Sequence, residues 1–227
     1  MKNGALRCAV FFGASILVAN LTACRSEKAS AATPDLAPAE SKLVSEAGFD
    51  VKLIARVRAH GTALERQQSF QGADFQPVPG PGLVLVTKPG SGESVLLALR
   101  RDLSSTSYQA WLNDNTFGNG PDRIVILNSR DPYAYLASIP VNGTNYNIGH
   151  AQIVEQYRKW EARLGLRLTG GGGDWLSADI TREPEDWLAF AREVYAFCPD
   201  IVDQGTNDVD TLAEEMRRRR LLYLWWD

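Results

Sequence analysis

The residues best suited to chemistry lie near the C-terminus of the chain. The run Cys198 to Gly205 (CPDIVDQG) holds a thiol, two carboxylates and an amide, and the chain closes with Trp225-Trp226-Asp227. Carboxylates grouped in this way can ligate a hard divalent cation or act as a general acid and base. If the last strand packs beside this run, Asp200, Asp203 and Asp227 would converge on one such site.

A structural role for the same run is the competing interpretation. Asp200 and Asp203 can cap and terminate the backbone around Pro199, while the neighbouring amide and glycine form a turn and the tryptophans fill the core. We expect this structural role for Asp200. Asp203 and Asp227 are the better site candidates, because Asp203 lies beyond the helix break beside Gln204 and Asp227 ends the last strand.

Other catalytic signatures are missing from the sequence. It contains no glycine-rich phosphate motif, no zinc-protease motif and no nucleophile elbow. His60 and His150 are its two histidines, which leaves little material for a triad or a histidine-rich metal centre. Cys198 is a poor nucleophile candidate, because a helix C-terminus disfavours the thiolate. We therefore expect no metal site and no cofactor.

The same C-terminal region resembles a known family. Tyr195 to Gly205 (YAFCPDIVDQG) and Leu222 to Asp227 (LYLWWD) resemble the signature of the bacterial domain of unknown function 4253. Four upstream segments fit the same pattern: Asp131-Pro132-Tyr133, Asn145-Tyr146-Asn147, Trp160-Glu161 and Leu188 to Glu193. The resemblance covers about residues 120–227 and implies no activity. The candidate binding residues are Asp131, Asn145, Tyr146, Asp200, Asp203, Gln204, Trp226 and Asp227.

The N-terminus carries a targeting signal. Lys2 and Arg7 precede the apolar segment Ala9 to Ala19, and Leu21-Thr22-Ala23-Cys24 follows it. This pattern resembles the bacterial lipoprotein signal, which implies acylation of Cys24 and cleavage just before it. A plain secretory peptide or an uncleaved anchor is the alternative, although the apolar segment is short for a membrane span.

The signal predicts where the protein works. We expect the lipid on Cys24 to hold the protein at the cell envelope, with the membrane as its partner. Arg25 is not the aspartate associated with inner-membrane retention, so by resemblance we expect the outer membrane, facing the periplasm, in a bacterium with two membranes. Removal of residues 1–23 takes away two basic residues and makes the net charge of −3 more negative. We therefore expect no nucleic-acid partner.

The rest of the chain predicts one globular domain. We assign residues 1–23 to the signal peptide, 24–46 to a lipidated flexible tether rich in Ala, Ser and Pro, and 47–227 to the domain. Apolar residues at positions 153, 157, 160 and 164 predict a helix that Gly165 ends, and Pro184 predicts the first turn of the next helix. Leu221 to Trp226 predicts a buried strand. Strands and helices mix without strict alternation, so we expect an α+β fold: a single domain with one mixed β-sheet flanked by helices.

Two classes of function follow from these patterns. The first is a non-catalytic binding or interaction module held on the envelope, with a protein or small molecule as its unidentified partner. The second is a small hydrolase or metal-dependent enzyme that uses Asp200, Asp203 and Asp227. Convergence of these carboxylates with Gln204 in an open pocket would favour the enzyme, whereas separate structural roles would favour the binding module.

Overall fold

The computed structural model describes residues 35–71 and 76–227. The signal sequence, Cys24 and the first part of the expected tether lie outside these residues. None of the helices described has the length and apolar character needed to cross a membrane.

One mixed sheet organises the described part of the chain. Its seven strands are β1 Ala63–Gln71, β2 Gln76–Pro89, β3 Gln109–Asp114, β4 Pro121–Leu127, β5 Arg167–Gly171, β6 Trp175–Asp179 and β7 Leu221–Trp225. They lie in the order β1-β2-β4-β3-β5-β6-β7. Neighbouring strands are antiparallel except β3 and β5, which are parallel. The predicted α+β class with a single mixed sheet is confirmed.

Helices cover both faces of this sheet. They are α1 Pro38–Glu46, α2 Val51–Arg58, α3 Gly92–Asp102, α4 Pro132–Leu136, α5 His150–Leu164, α6 Trp187–Phe197 and α7 Val209–Arg219. A π-helical turn, Ile201–Thr206, connects α6 to α7. As predicted, α5 ends at Gly165, whose φ of 59° suits a residue without a side chain.

Two sequence-based boundaries are wrong. The predicted tether, residues 24–46, includes α1, in which Val44 is fully buried and Glu40 accepts a 2.7 Å hydrogen bond from Arg58. Val44 and this ion pair attach α1 to the domain, and Leu36, Leu43 and Ala47 pack partly buried against the same core, although the sequence lacks a sustained apolar face. Pro184 precedes α6 instead of lying in its first turn, because Asp186 caps the helix by accepting the backbone N–H of Leu188 at 2.8 Å.

Successive side chains of the central strands point to opposite faces of the sheet and contribute to two separate hydrophobic cores. Val84 and Val125 face the core under α4 to α7, whereas Leu83 and Ile124 face the core under α1 to α3. The first core extends along the sheet as far as Leu222 and Leu224 of β7. In the described chain, the second core ends at β3 and leaves the same face of β5, β6 and β7 open.

The last strand is an edge strand whose inner side is buried. Leu222, Leu224 and Trp226 are each at most 3% exposed, so the burial predicted for this strand is confirmed on one of its two sides. β7 pairs with β6 alone in the described sheet. Beyond its free edge, the Cys198 thiol donates to the Trp225 carbonyl at 2.9 Å and accepts the Trp225 N–H at 3.3 Å.

Candidate functional site

A groove lies over the open face of β5, β6 and β7. α3 forms one wall, and the π-helical turn with α7 forms the other. The larger section has a volume of about 340 Å³ and the adjoining section about 230 Å³. The residues lining both sections are Glu93, Leu112, Trp175, Ser177, Arg219 and Leu221. A volume of this size fits a small molecule.

The floor of the groove is apolar and aromatic. Trp175 of β6 stacks on Tyr223 of β7, with ring centroids 6.0 Å apart and an interplanar angle of 23°. Leu112 and Leu221 extend this surface, and Met216 of α7 lines the side. Side chains of this kind bury the apolar part of a ligand and leave its polar part at the rim.

The rim carries an exposed aromatic ring in an unusual conformation. Phe117, in the turn between β3 and β4, is 76% exposed and has a φ of 53°. A bulky side chain rarely adopts this left-handed region, because the Cβ atom crowds the backbone. Its N–H donates to Asn115 Oδ1 at 2.9 Å, which fixes the turn. Strain and exposure together mark Phe117 as a candidate contact for a ligand.

The buried carboxylate of Asp122 joins the α3 wall to this turn. Asp122 is 1% exposed, and its Oδ2 accepts the backbone N–H of Gly92 at the start of α3 at 2.8 Å. Its Oδ1 accepts the backbone N–H of Thr116 at 2.9 Å and the Thr116 hydroxyl at 3.1 Å. Asp122 is therefore a positioning residue for this side of the groove.

Asp200 holds the π-helical turn that leads into the opposite wall. Its side chain is buried and accepts three hydrogen bonds: from the Tyr146 hydroxyl at 2.5 Å, Gln204 Nε2 at 2.9 Å and the Asp227 backbone N–H at 2.8 Å. Burial by itself would raise the pKa of Asp200, but the three donors outweigh it and lower the pKa below its ordinary value. The hydrogen bond between the Tyr146 hydroxyl and Asp200 raises the pKa of Tyr146 to about 12.

These contacts correct the expected role of Asp200. The side chain was predicted to cap a helix, yet it makes no capping hydrogen bond at the turn that follows it. Its two oxygens accept instead from Gln204, four residues later, and from two distant parts of the chain, the Tyr146 hydroxyl and the Asp227 N–H. Asp200 therefore joins separate segments of the chain instead of capping one, and its structural role stays a prediction.

The structure separates the other predicted site residues into two groups. Asn145, Tyr146, Gln204, Trp226 and Asp227 lie around Asp200, with Asn145 donating to the Asp227 carbonyl and the Trp226 indole to the Phe197 carbonyl.

Asp203 and Asp131 do not join this cluster. Asp203 is exposed and accepts the Tyr195 hydroxyl at 2.8 Å, and Asp131 caps α4 by accepting the N–H of Tyr133 at 2.9 Å. Among the residues described, no group of three His, Cys, Asp or Glu side chains is placed to hold a metal ion. The convergence of three carboxylates on a shared site is therefore not seen.

Sequence analysis missed the groove because its lining comes from distant segments. Trp175, Phe117 and Arg100 line it from a strand, a turn and a helix, and no local pattern links them to one another or to Asp122, which positions one side of it. One signal was available: an aromatic residue inside the Gly- and Asn-rich run 115–120 is unusual for a turn.

Comparison with known proteins identifies the C-terminal part of the chain and leaves its activity open. Residues 123–227 match the family model described as Domain of unknown function (DUF4253). This confirms the resemblance recognised in the sequence. No curated protein and no solved structure matches the chain. The matched region contains the groove floor apart from Leu112, together with the α7 wall, whereas α3, Phe117 and Asp122 precede it.

Proposed function

We propose that the protein is a non-catalytic binding module for a small ligand with an apolar body. The proposal rests on the geometry of the groove, because the family model that residues 123–227 match describes a domain of unknown function. The observation that carries the proposal is the groove itself, with an aromatic floor and a charged rim on a sheet face left open by the surrounding helices. Such concave apolar surfaces with a few polar groups are typical of small-molecule sites.

The reactive groups of the C-terminal run support binding over catalysis. Burial raises the pKa of the Cys198 thiol to about 11, and the thiol bonds to the backbone of Trp225. Asp200 is occupied by three donors. A nucleophile needs an accessible thiolate, and a general base needs a free lone pair near its substrate. Neither group has this arrangement in the structure.

Binding can be tested with N-phenyl-1-naphthylamine, a neutral fluorescent probe of apolar sites. We expect saturable binding of one probe per protein, weakened about tenfold by Trp175→Leu, since the floor then loses one of its two stacked rings. Trp187→Leu is the matched control, because Trp187 is also half-buried but lies outside the groove. Unchanged affinity in a folded Trp175→Leu variant would exclude the groove as the site.

The enzymatic alternative makes a separate prediction. A divalent-ion site at the acidic run would raise the melting temperature in the presence of the ion, and Asp203→Asn or Asp227→Asn would abolish this gain. We expect no shift in melting temperature with calcium, magnesium or zinc, because Asp200 and Asp203 bond to different partners. A metal-dependent shift lost in either variant would favour the enzyme.

We also propose that the module is held at the cell envelope by a lipid on Cys24, on the sequence pattern alone. Metabolic labelling with a palmitate analogue should mark the protein, and membrane fractionation should recover it with lipid. Cys24→Ala should abolish both results, whereas Cys8→Ala should leave them unchanged, because Cys8 lies inside the predicted signal. Unchanged membrane partitioning of the Cys24→Ala variant would contradict the anchor.

A further inference from the structure

Two arginines that line the groove, Arg100 and Arg219, form no ion pair among the described residues, and they indicate what kind of ligand the groove binds. We infer that the groove binds an amphipathic anion, whose acidic group lies between Arg100 and Arg219 and whose apolar body lies on Trp175 and Tyr223. This inference rests on the proposed binding function and adds the chemistry of the ligand.

Arg100 provides the first half of the anion site. It lies on α3 and lines the smaller section of the groove, where its side chain is half-buried. Nη2 donates to the Leu168 carbonyl at 2.7 Å and Nε to the Ala110 carbonyl at 3.4 Å. Both acceptors are neutral backbone groups, so they orient the guanidinium but leave its charge uncompensated.

The neighbouring charges do not neutralise Arg100. Asp179 of β6 lines the same section, but it already accepts two hydrogen bonds from Arg167, at 2.7 and 3.0 Å. The ion pairs of the described residues include neither Arg100 nor Arg219. Burial lowers the pKa of Arg100, and the nearby charge of Arg167 adds to this effect while Asp179 opposes it.

Arg219 provides the second half from the opposite wall. It is the last residue of α7, is exposed, and lines both sections of the groove. A guanidinium carries several donors in a planar fork that matches a carboxylate, sulfonate or phosphate group. Arg100 and Arg219 both line the smaller section, one from α3 and one from α7, which suits an anion between them.

The two carboxylates of the rim set the direction in which the ligand lies. Glu93 is seven residues before Arg100 on α3, which places it about 10 Å away along the helix axis. Glu215 lines the larger section and is four residues before Arg219 on α7. Glu93 lines both sections, but the larger one adds Glu215 and is lined by one arginine, Arg219. The smaller section is lined by two arginines, Arg100 and Arg219, and its second carboxylate, Asp179, already pairs with Arg167. The larger section therefore repels an anion more strongly, and it also holds the stacked rings and Phe117. The apolar body therefore occupies the larger section and the acidic group the smaller one.

The experiment compares two probes that share one apolar skeleton. 8-Anilinonaphthalene-1-sulfonate carries a sulfonate, and N-phenyl-1-naphthylamine is its neutral counterpart. Arg219→Gln should weaken binding of the sulfonate about tenfold and change binding of the neutral probe less than twofold. Arg218→Gln is the matched control, since Arg218 is exposed on the same helix and does not line the groove.

Arg100 is tested with a charge-retaining variant. Arg100→Gln should lose sulfonate binding as Arg219→Gln does, while Arg100→Lys should keep most of it. Arg101→Gln, an exposed neighbour outside the groove, should bind both probes as the parent protein does. Because Arg219 is exposed, its variant keeps the test decisive if changes at Arg100 disturb folding.

The outcomes distinguish this inference from the proposed function. Equal affinity losses for both probes in the Arg219→Gln variant, or no loss for either, would overturn the anion site and leave the binding groove intact. Failure of both probes to bind the folded parent protein would overturn the proposed function together with the inference. Selective loss of the sulfonate probe supports both.

Discussion

At the scale of single residues, two carboxylates, those of Asp122 and Asp200, are buried and form no ion pair among the described residues. Asp122 is 1% exposed and Asp200 is 2% exposed, and each accepts three hydrogen bonds from neutral donors. A buried charge is costly unless such donors replace its water. Each carboxylate therefore specifies where its donors must lie. The donors to Asp122 belong to the start of α3 and to the turn that carries Phe117, and those to Asp200 belong to the π-helical turn, the segment around Tyr146 and the end of the chain.

Substitution of Asp200 should destabilise the fold in proportion to the acceptors that are lost. We expect Asp200→Ala to lower the free energy of unfolding by about 3 kcal/mol, because three donors lose their partner, and Asp200→Asn by about 1 to 2 kcal/mol. Asp203→Asn is the control and should stay within about 0.5 kcal/mol, since Asp203 is exposed. Urea denaturation at pH 7 measures all three. Equal effects at the two positions would show that the Asp200 contacts contribute little.

The contribution of Asp200 should also depend on pH. Its pKa in the folded protein lies below the ordinary value of 3.8, so its stabilising effect is complete well above 3.8 and is lost as the pH falls through that value towards the folded pKa. The difference in melting temperature between the parent protein and Asp200→Asn should therefore shrink as the pH is lowered from 6 to about 3. A constant difference over this range would contradict the lowered pKa.

Phe117 offers a test of strain against function. Phe117→Asn should raise the free energy of unfolding by about 0.5 to 1 kcal/mol, because asparagine tolerates a positive φ better than phenylalanine. Phe117→Ala keeps the unfavourable backbone and should show no such gain. Both variants should bind N-phenyl-1-naphthylamine more weakly, because the ring is missing from the rim. Denaturant titration and probe fluorescence measure the two effects, and retained probe affinity would exclude Phe117 from the site.

At the scale of elements, two adjacent tryptophans at the end of β7 point to opposite sides of the sheet, because successive side chains of an extended chain alternate. Trp225 is half-buried at the end of β7, whereas Trp226 is 3% exposed. The Trp226 ring meets Phe197 edge to face, with centroids 5.9 Å apart. A Cβ atom on Gly143 would lie 2.8 Å from the same indole, so this packing requires glycine there.

The two tryptophans should therefore differ strongly in their contribution to stability. We expect Trp226→Ala to lower the free energy of unfolding by about 4 kcal/mol, as for other large buried side chains. Trp225→Ala should cost less than about 1.5 kcal/mol, because part of its ring is already in water. Thermal and chemical denaturation give both values. Similar costs at the two positions would mean that the end of the chain packs differently.

At the scale of the whole molecule, the two cores share strands, so the N- and C-terminal halves cannot separate cleanly. β4 lies between β2 and β3, and all three contribute side chains to both cores. Trp111 of β3 stacks on Tyr135 of α4, with centroids 5.0 Å apart. The match to the family model begins at residue 123, inside β4. The matched region therefore lacks both neighbours of its first strand.

A fragment of residues 123–227 should not fold by itself. Without β2 and β3, β4 has no hydrogen-bonding partner, and β5 loses the strand beside it. We expect poor dispersion in its amide NMR spectrum and no cooperative melting transition. A chain of residues 35–227, which keeps all the described elements, should melt in a single transition. A cooperative transition in the shorter fragment would show that the family region is an independent unit.

The sequence by itself determined the features that depend on near neighbours. The spacing of apolar residues and Gly165 predicted α5, the apolar run at the C-terminus predicted β7 and its buried side chains, and the mixture of elements predicted the α+β class. These signals work because hydrogen bonds and side-chain periodicity within one helix or strand are local. The same locality explains the missed α1, whose short sequence has one fully buried residue and is held by a contact with α2.

Tertiary structure alone decided the site. Tyr146 and Asp200 are 54 residues apart in the chain, and Asp200 and Asp227 are 27 apart, yet each pair is joined by a hydrogen bond. Asp200 therefore joins distant segments of the chain. The groove lies on the sheet face where the core under α1 to α3 ends at β3. Periodicity shows which side of a strand is apolar, but the packing of distant helices decides whether that side is covered or left open to a ligand.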